Sequence, residues 1–108
     1  MGVQDRACET INIRDCTIIT VCPPSPDAAS GPRGSGQINT IVRGDEVIYR
    51  YSSPMGGGFT VRAKLDALSD PYCTGAAREA LVGLLVKHLS QDPGLPRIMF
   101  IVEQKMFG

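Results

Sequence analysis

The stretch QINTIVRGDEVIYRYSSPMGGGFTVRAKLD, residues 37–66, decides the fold because its apolar and polar residues alternate with a period of two. In its last run, one face of a strand would carry Phe59, Val61, Ala63 and Leu65, and the other would carry Thr60, Arg62, Lys64 and Asp66. Residues 46–52 alternate in the same way, and Gly44-Asp45 predicts a tight turn that joins them to residues 38–43. The SSPMGGG segment, residues 52–58, is rich in loop formers. We therefore predict an antiparallel three-stranded meander with one apolar face.

The part of the chain before the meander predicts a hairpin and a long connection. Residues 10–13 (TINI) and 17–22 (TIITVC) are β-branched runs separated by Arg14-Asp15-Cys16. The next segment, PPSPDAASGPRGSG, contains four prolines and three glycines and has too few apolar residues to form a helix or strand. We divide the single domain into an N-terminal hairpin (1–22), a connection (23–36), a sheet (37–68) and a helical C-terminal part (69–108), which is an α+β fold.

The C-terminal part contains one clear helix. Ser69 or Asp70 is a suitable N-cap ahead of Pro71, and Thr74 would cap a later start. A leucine-rich stripe follows at three- and four-residue spacing, with Leu81, Leu84, Leu85, His88 and Leu89 as its later members. A histidine at the edge of such a stripe is more typical of packing than of a ligand. The tail LPRIMFIVEQKMFG, residues 95–108, fits either a buried strand or a short helix.

Composition limits the function classes. A chain of 108 residues with 43% hydrophobic residues makes one domain with a modest core. Eleven basic and eleven acidic residues give no net charge, so any site for a polyanion must be local. The longest apolar run, residues 98–102, is too short to cross a bilayer, and MGVQDRACET is not typical of a secretory signal. We expect no membrane partner and an intracellular, reducing environment.

The four cysteines, Cys8, Cys16, Cys22 and Cys73, include no Cys-x-x-Cys pair of the kind that structural zinc sites use. In a reducing environment free thiols are the expected state, and a disulfide, for example between subunits, is the alternative. We predict neither a metal nor any other cofactor.

Enzymatic motifs are weak throughout the chain. The GGG run at 56–58 is not followed by the lysine and hydroxyl of a phosphate loop. A nucleophile pair of Cys73 and His88 is conceivable, but the sequence implies no group to orient the histidine. We therefore expect a protein that is not an enzyme.

The remaining feature is the polar face of the meander, whose basic and hydroxyl residues suit phosphates and bases of RNA, or alternatively form a solvated face.

The order of these segments resembles the coat proteins of small single-stranded RNA bacteriophages. ITVCPPSPDAASG (19–31) is similar to a hairpin strand and the connection after it. VIYRYSS (47–53) and FTVRAKLDALSD (59–70) resemble sheet strands separated by a loop. EALVGLLVKHLSQDPGLPRIMFIVEQKMFG (79–108) resembles the two helices that end the chains of that family.

The resemblance implies a homodimer in which sheets join edge to edge and helices lie across the partner's sheet, with dimers assembling into an icosahedral capsid. It implies a dimer interface formed by Leu81, Leu84, Leu85, Leu89, Ile98, Ile101 and Val102. Genomic single-stranded RNA would bind the inner sheet face through Arg43, Arg50, Thr60, Arg62 and Lys64. The protein would then be located in the virion after assembly in the bacterial cytoplasm. The alternative function is a small dimeric adaptor or regulatory module that binds protein and no nucleic acid.

Overall fold

The fold is α+β, with an antiparallel sheet followed by helices, as the sequence predicts. The computed structural model describes residues 8–24, 37–54 and 56–108. Its strands are β1 (Glu9–Ile13), β2 (Thr17–Cys22), β3 (Ile38–Arg43), β4 (Glu46–Ser52) and β5 (Gly58–Lys64), and its helices are α1 (Pro71–Leu89) and α2 (Leu95–Val102). A 3-10 turn, Leu65–Ser69, precedes α1, and a π-helical turn, Glu103–Phe107, follows α2. Most of the predicted connection at 23–36 lies outside the described residues.

All five strands form one sheet in the order β1-β2-β5-β4-β3. The predicted meander is confirmed, with Val42 paired to Val47 across a turn in which Gly44 adopts a φ of 63°. Glycine suits this turn because a side chain at positive φ is strained. The hairpin of β1 and β2 joins the meander through antiparallel pairing of β2 with β5, in which Thr17 faces Ala63. The sequence predicts both pieces, and the structure joins them edge to edge.

Strand β5 is shorter than the alternation suggests, and Leu65 does not reach the buried face. The last residue of β5, Lys64, pairs with Glu46 at the start of β4, so the neighbouring strand offers no further partner. Leu65 begins the 3-10 turn, donates its backbone N–H to the Asp45 carbonyl at 2.8 Å and is 41% exposed.

At the other end of β5, a Cβ on Gly58 would lie 2.1 Å from the Tyr51 carbonyl oxygen, so the close approach of β4 requires glycine there.

An aspartate lies at or just before the start of each helix, and the one before α1 is its N-cap. Asp70 Oδ1 accepts a hydrogen bond from the Tyr72 backbone N–H at 2.9 Å, with Pro71 in the first turn of α1. The tail takes the helical alternative, and Asp92 Oδ1 accepts from the Gly94 N–H at 2.8 Å just before α2. Asp92 Oδ2 also accepts from Ser53 Oγ at 2.5 Å, which ties the β4–β5 loop to the turn between the helices.

In the described part of the chain, no helix has both the length and the apolar character needed to cross a membrane.

In the single chain, the residues predicted to form a dimer interface pack against the sheet of the same chain. Leu81, Leu84, Leu85, Leu89, Ile98 and Val102 are buried in one core with the sheet residues Val47, Tyr49, Val61 and Ala63, and Ile101 packs at its edge. The single chain thus covers the apolar face of its own sheet. A short link after β5 leads into α1, and Lys87 Nζ and His88 Nε2 each donate to Glu9 Oε1 at 2.9 Å, which ties α1 to the hairpin.

The expectation of free thiols is wrong, because all four cysteines are paired within the chain. Cys8 bonds to Cys22 across the hairpin, and Cys16 in the hairpin turn bonds to Cys73 in the first turns of α1. The alternative of a Cys73–His88 nucleophile pair is also wrong. The Cys73 sulfur is bonded to Cys16, and the fifteen residues that separate Cys73 from His88 along α1 place them about 22 Å apart.

Candidate nucleic-acid interface

The helices pack on one face of the sheet, and we call the opposite face the open face. Because strand residues alternate between faces, the open face is formed by the neighbours of the core residues. No helix that the structure describes lies on it. Its residues are Thr10 and Asn12 from β1, Ile18, Thr20 and Cys22 from β2, Gly58, Thr60, Arg62 and Lys64 from β5, Glu46, Ile48, Arg50 and Ser52 from β4, and Asn39, Ile41 and Arg43 from β3.

All five residues predicted to bind RNA lie on the open face. Arg43, Arg50, Arg62 and Lys64 are exposed, and Thr60 is half-buried. Arg50 lies directly opposite Thr60, while Glu46 lies between Lys64 on β5 and Arg43 on β3. Directly paired residues have Cβ atoms about 5 Å apart, so these side chains form one contiguous group. The structure thus brings together residues that are spread over more than twenty positions of the sequence.

Charge is unevenly distributed between the open face and the rest of the molecule. The open face carries four basic residues and one acidic residue, Glu46, a formal charge of +3. Because the whole sequence is neutral, all its other residues together carry −3. Arg62 Nη2 lies 3.1 Å from Glu46 Oε1, but both side chains are partly exposed, at 51% and 29%. Such a pair contributes little energy in water, and the arginine remains available to an anion.

A row of hydroxyl and amide side chains crosses the open face beside the basic group, and the sequence did not single it out. Thr10 Oγ1 and Thr20 Oγ1 are 2.9 Å apart, Thr20 pairs with Thr60, and beyond Arg50 the row ends at Asn39. The alternation in TINI and TIITVC was the signal available, since hairpin pairing places Thr10 and Thr20 on one face. These groups donate and accept hydrogen bonds of the kind that sugar hydroxyls and phosphates form.

The open face has no aromatic side chain among its described residues. Tyr49, Tyr51 and Phe59 all point into the core, where the rings of Tyr51 and Phe59 stack with centroids 5.6 Å apart. Burial raises the pKa of Tyr49 and of Tyr51, as expected for phenols removed from water. Aliphatic residues flank Arg62 in the middle of the open face: Ile18 is 41% exposed, and Ile48 is buried. Base stacking on aromatic rings is therefore unavailable on this part of the surface.

A scan against protein-family models and searches of curated proteins and of solved structures found no match to this chain. The function must therefore be argued from the geometry. Within 8–24, 37–54 and 56–108, no group of three or more His, Cys, Asp or Glu side chains is placed to hold a metal ion. The open face is the surface of the described structure where side chains with shared chemistry converge.

Proposed function

We propose that the open face binds single-stranded nucleic acid, RNA in particular, through its phosphate backbone. The observation that carries the proposal is the gathering of four exposed basic side chains on the helix-free face of a neutral chain. A polyanion gains from a local positive field and releases counterions, whatever the net charge of the protein. The open face offers an extended strand rows of side chains that repeat at the spacing of β-strands, about 5 Å.

The chemistry of the open face sets the binding mode. Arg43, Arg50, Arg62 and Lys64 would contact phosphates, and the threonine row would contact sugar hydroxyls, which distinguish RNA from DNA. Because these contacts reach phosphates and sugars and not base edges, affinity would depend little on base identity. Four phosphate contacts predict that the logarithm of the affinity falls with the logarithm of salt concentration with a slope of about −3.

The test is fluorescence anisotropy of a labelled single-stranded RNA at several salt concentrations. The variant Arg62→Ala/Lys64→Ala should bind more weakly, and its salt slope should be shallower by about 1.4, the value for two lost phosphate contacts. The matched control is Arg97→Ala/Lys105→Ala, which removes the same charge from exposed positions on the helical side.

The control should bind like the unmodified protein, and circular dichroism should show that both variants are folded. Equal weakening by the two double variants would reject the open face as the binding surface. Failure of Arg62→Ala/Lys64→Ala to fold would instead show that the strand register is wrong.

A second candidate function, self-assembly into a capsid, is favoured by the edge strand β3. In the described sheet β3 pairs only with β4, and Arg43 at its end is the single charged residue that it contains. Val42 on this strand is 62% exposed. Two copies joined along β3 would form a continuous sheet with two open faces side by side, as the resemblance to phage coat proteins implies. Each helix would then stay on its own chain.

Size-exclusion chromatography with light scattering, and electron microscopy, test the assembly. The expected result is a dimer that Val42→Lys converts to a monomer, because a lysine on an edge disfavours strand addition. A monomer without particles at every concentration would reject the capsid proposal. Dimers that bind no RNA, with an absorbance ratio typical of pure protein, would support the adaptor alternative instead.

A further inference from the structure

A hollow of about 440 Å³ lies at the corner of the open face next to the turn between β1 and β2, and we call it the turn hollow. Its lining includes Arg14, Arg62 and Lys64, together with Asn12, Asp15 and Glu46. The volume is within the range of small-molecule sites, about 300–1,000 Å³. Three basic and two acidic residues give this lining a positive balance, and the amide of Asn12 adds both a donor and an acceptor.

Two weak contacts orient Arg62 and Arg14, two of the three basic residues of the turn hollow. Glu46 accepts a hydrogen bond from Arg62 at 3.1 Å, and the Arg14 guanidinium carbon lies 4.8 Å from the centroid of the Tyr72 ring. Lys64 makes no ion pair with any residue that the structure describes, so its charge is available. Groups that are already positioned lose less entropy when a ligand binds.

The backbone around the turn hollow is also anchored. Arg14 adopts a φ of 50°, which is uncommon for a residue other than glycine, and the Cys16 N–H donates to the Ile13 carbonyl at 2.7 Å. Cys16 is bonded to Cys73, so the turn is tied to α1. The turn residues therefore form a stable wall at one end of the open face.

We propose that the turn hollow binds a phosphate monoester of a nucleotide, such as the terminal phosphate of an RNA strand lying on the open face. This inference rests on the proposed function. A terminal monoester carries nearly twice the charge of an internal diester at neutral pH, and it offers three oxygens to Arg62 and Lys64. The position of the turn hollow at a corner, bounded by the turn, suits the end of a strand better than its middle. A free mononucleotide presents the same group.

The experiment compares one short RNA in three forms, with a 5′-phosphate, with a 3′-phosphate and with hydroxyls at both ends. One phosphorylated form should bind about tenfold more tightly than the hydroxyl form. Lys64→Ala should abolish that preference. The matched control is Arg50→Ala, which removes a charge from the open face outside the turn hollow and should weaken all three RNAs by the same factor.

The possible outcomes separate this inference from the proposed function. Equal binding of all three RNAs would overturn the proposal that the turn hollow binds a phosphate monoester, while the proposal that the open face binds RNA would stand. Failure of every RNA to bind would overturn the proposed function. Adenosine monophosphate, added as a competitor, identifies the source of the phosphate. Displacement of the phosphorylated RNA at similar concentrations supports a free nucleotide, and displacement only by phosphorylated RNA supports the strand end.

Discussion

Removing the Cys16–Cys73 disulfide should destabilise the protein more than removing Cys8–Cys22. The first bond joins residues separated by 57 positions and the second joins residues separated by 14. Cross-linking lowers the entropy of the unfolded chain by an amount that grows with the logarithm of the loop length. At 25 °C this gives about 4 kcal/mol for the long loop and about 3 kcal/mol for the short one. A small domain has about 5–15 kcal/mol in total, so either loss is a large fraction.

The perturbations are Cys16→Ser/Cys73→Ser and Cys8→Ser/Cys22→Ser, so that neither variant keeps an unpaired thiol from the broken bond. Urea unfolding followed by circular dichroism, without reductant, measures both. For a urea dependence of about 2 kcal/mol per molar, the first variant should shift the midpoint by about 2 M and the second by about 1.5 M.

Titration of thiols in the unmodified, unreduced protein is the control, and it should find none. Reactive thiols in the folded protein would refute the pairing. A larger loss from Cys8→Ser/Cys22→Ser than from Cys16→Ser/Cys73→Ser would refute the loop-length argument.

Three further predictions concern the core and the ties between elements. Asp92→Ala should lower the free energy of unfolding, measured in urea, by about 2–3 kcal/mol, because the hydrogen bonds that its carboxylate accepts from Ser53 Oγ and the Gly94 N–H are lost. Leu81→Ala, at a fully buried position, should lower the free energy of unfolding by about 2–5 kcal/mol in the same assay. The hydrogen bond from Lys87 holds the pKa of Glu9 below its ordinary value of 4.5. The ionised Glu9 carboxylate therefore stabilises the folded protein above pH 4.5, and this stabilisation is lost as the pH falls through the lowered pKa. Melting temperatures measured across this range should depend less on pH in Glu9→Gln.

Local sequence patterns were enough to predict most of the strands and helices. They do not show which distant strands pair with each other. Strands β3, β4 and β5 follow from period-two alternation and a glycine turn, and α1 follows from its leucine stripe and cap. Pairing of β2 with β5 depends on segments separated by the whole connection at 23–36. An apolar stripe also does not indicate which molecule will cover it. The expectation that the helices lie on a partner's sheet came from the resemblance, and in the single chain they pack on their own sheet.

The disulfides show one signal that was present and one that was absent. In a hairpin where Ile13 faces Thr17, the register places Cys8 opposite Cys22, so that bond follows from strands that the sequence did predict. The bond between Cys16 and Cys73 depends on where α1 starts relative to the hairpin, which is a tertiary feature. Similarly, alternation placed the five predicted RNA-binding residues on one face, while Thr10 and Thr20 joined them only through the pairing of β2 with β5.

The difference in charge between the open face and the rest of the chain gives this neutral molecule an electric dipole. At neutral pH it should therefore be retained by a cation-exchange or heparin column, although its overall charge predicts that it would flow through. On such a matrix it would adsorb in one orientation, with the sheet lying flat and the helices facing the solvent.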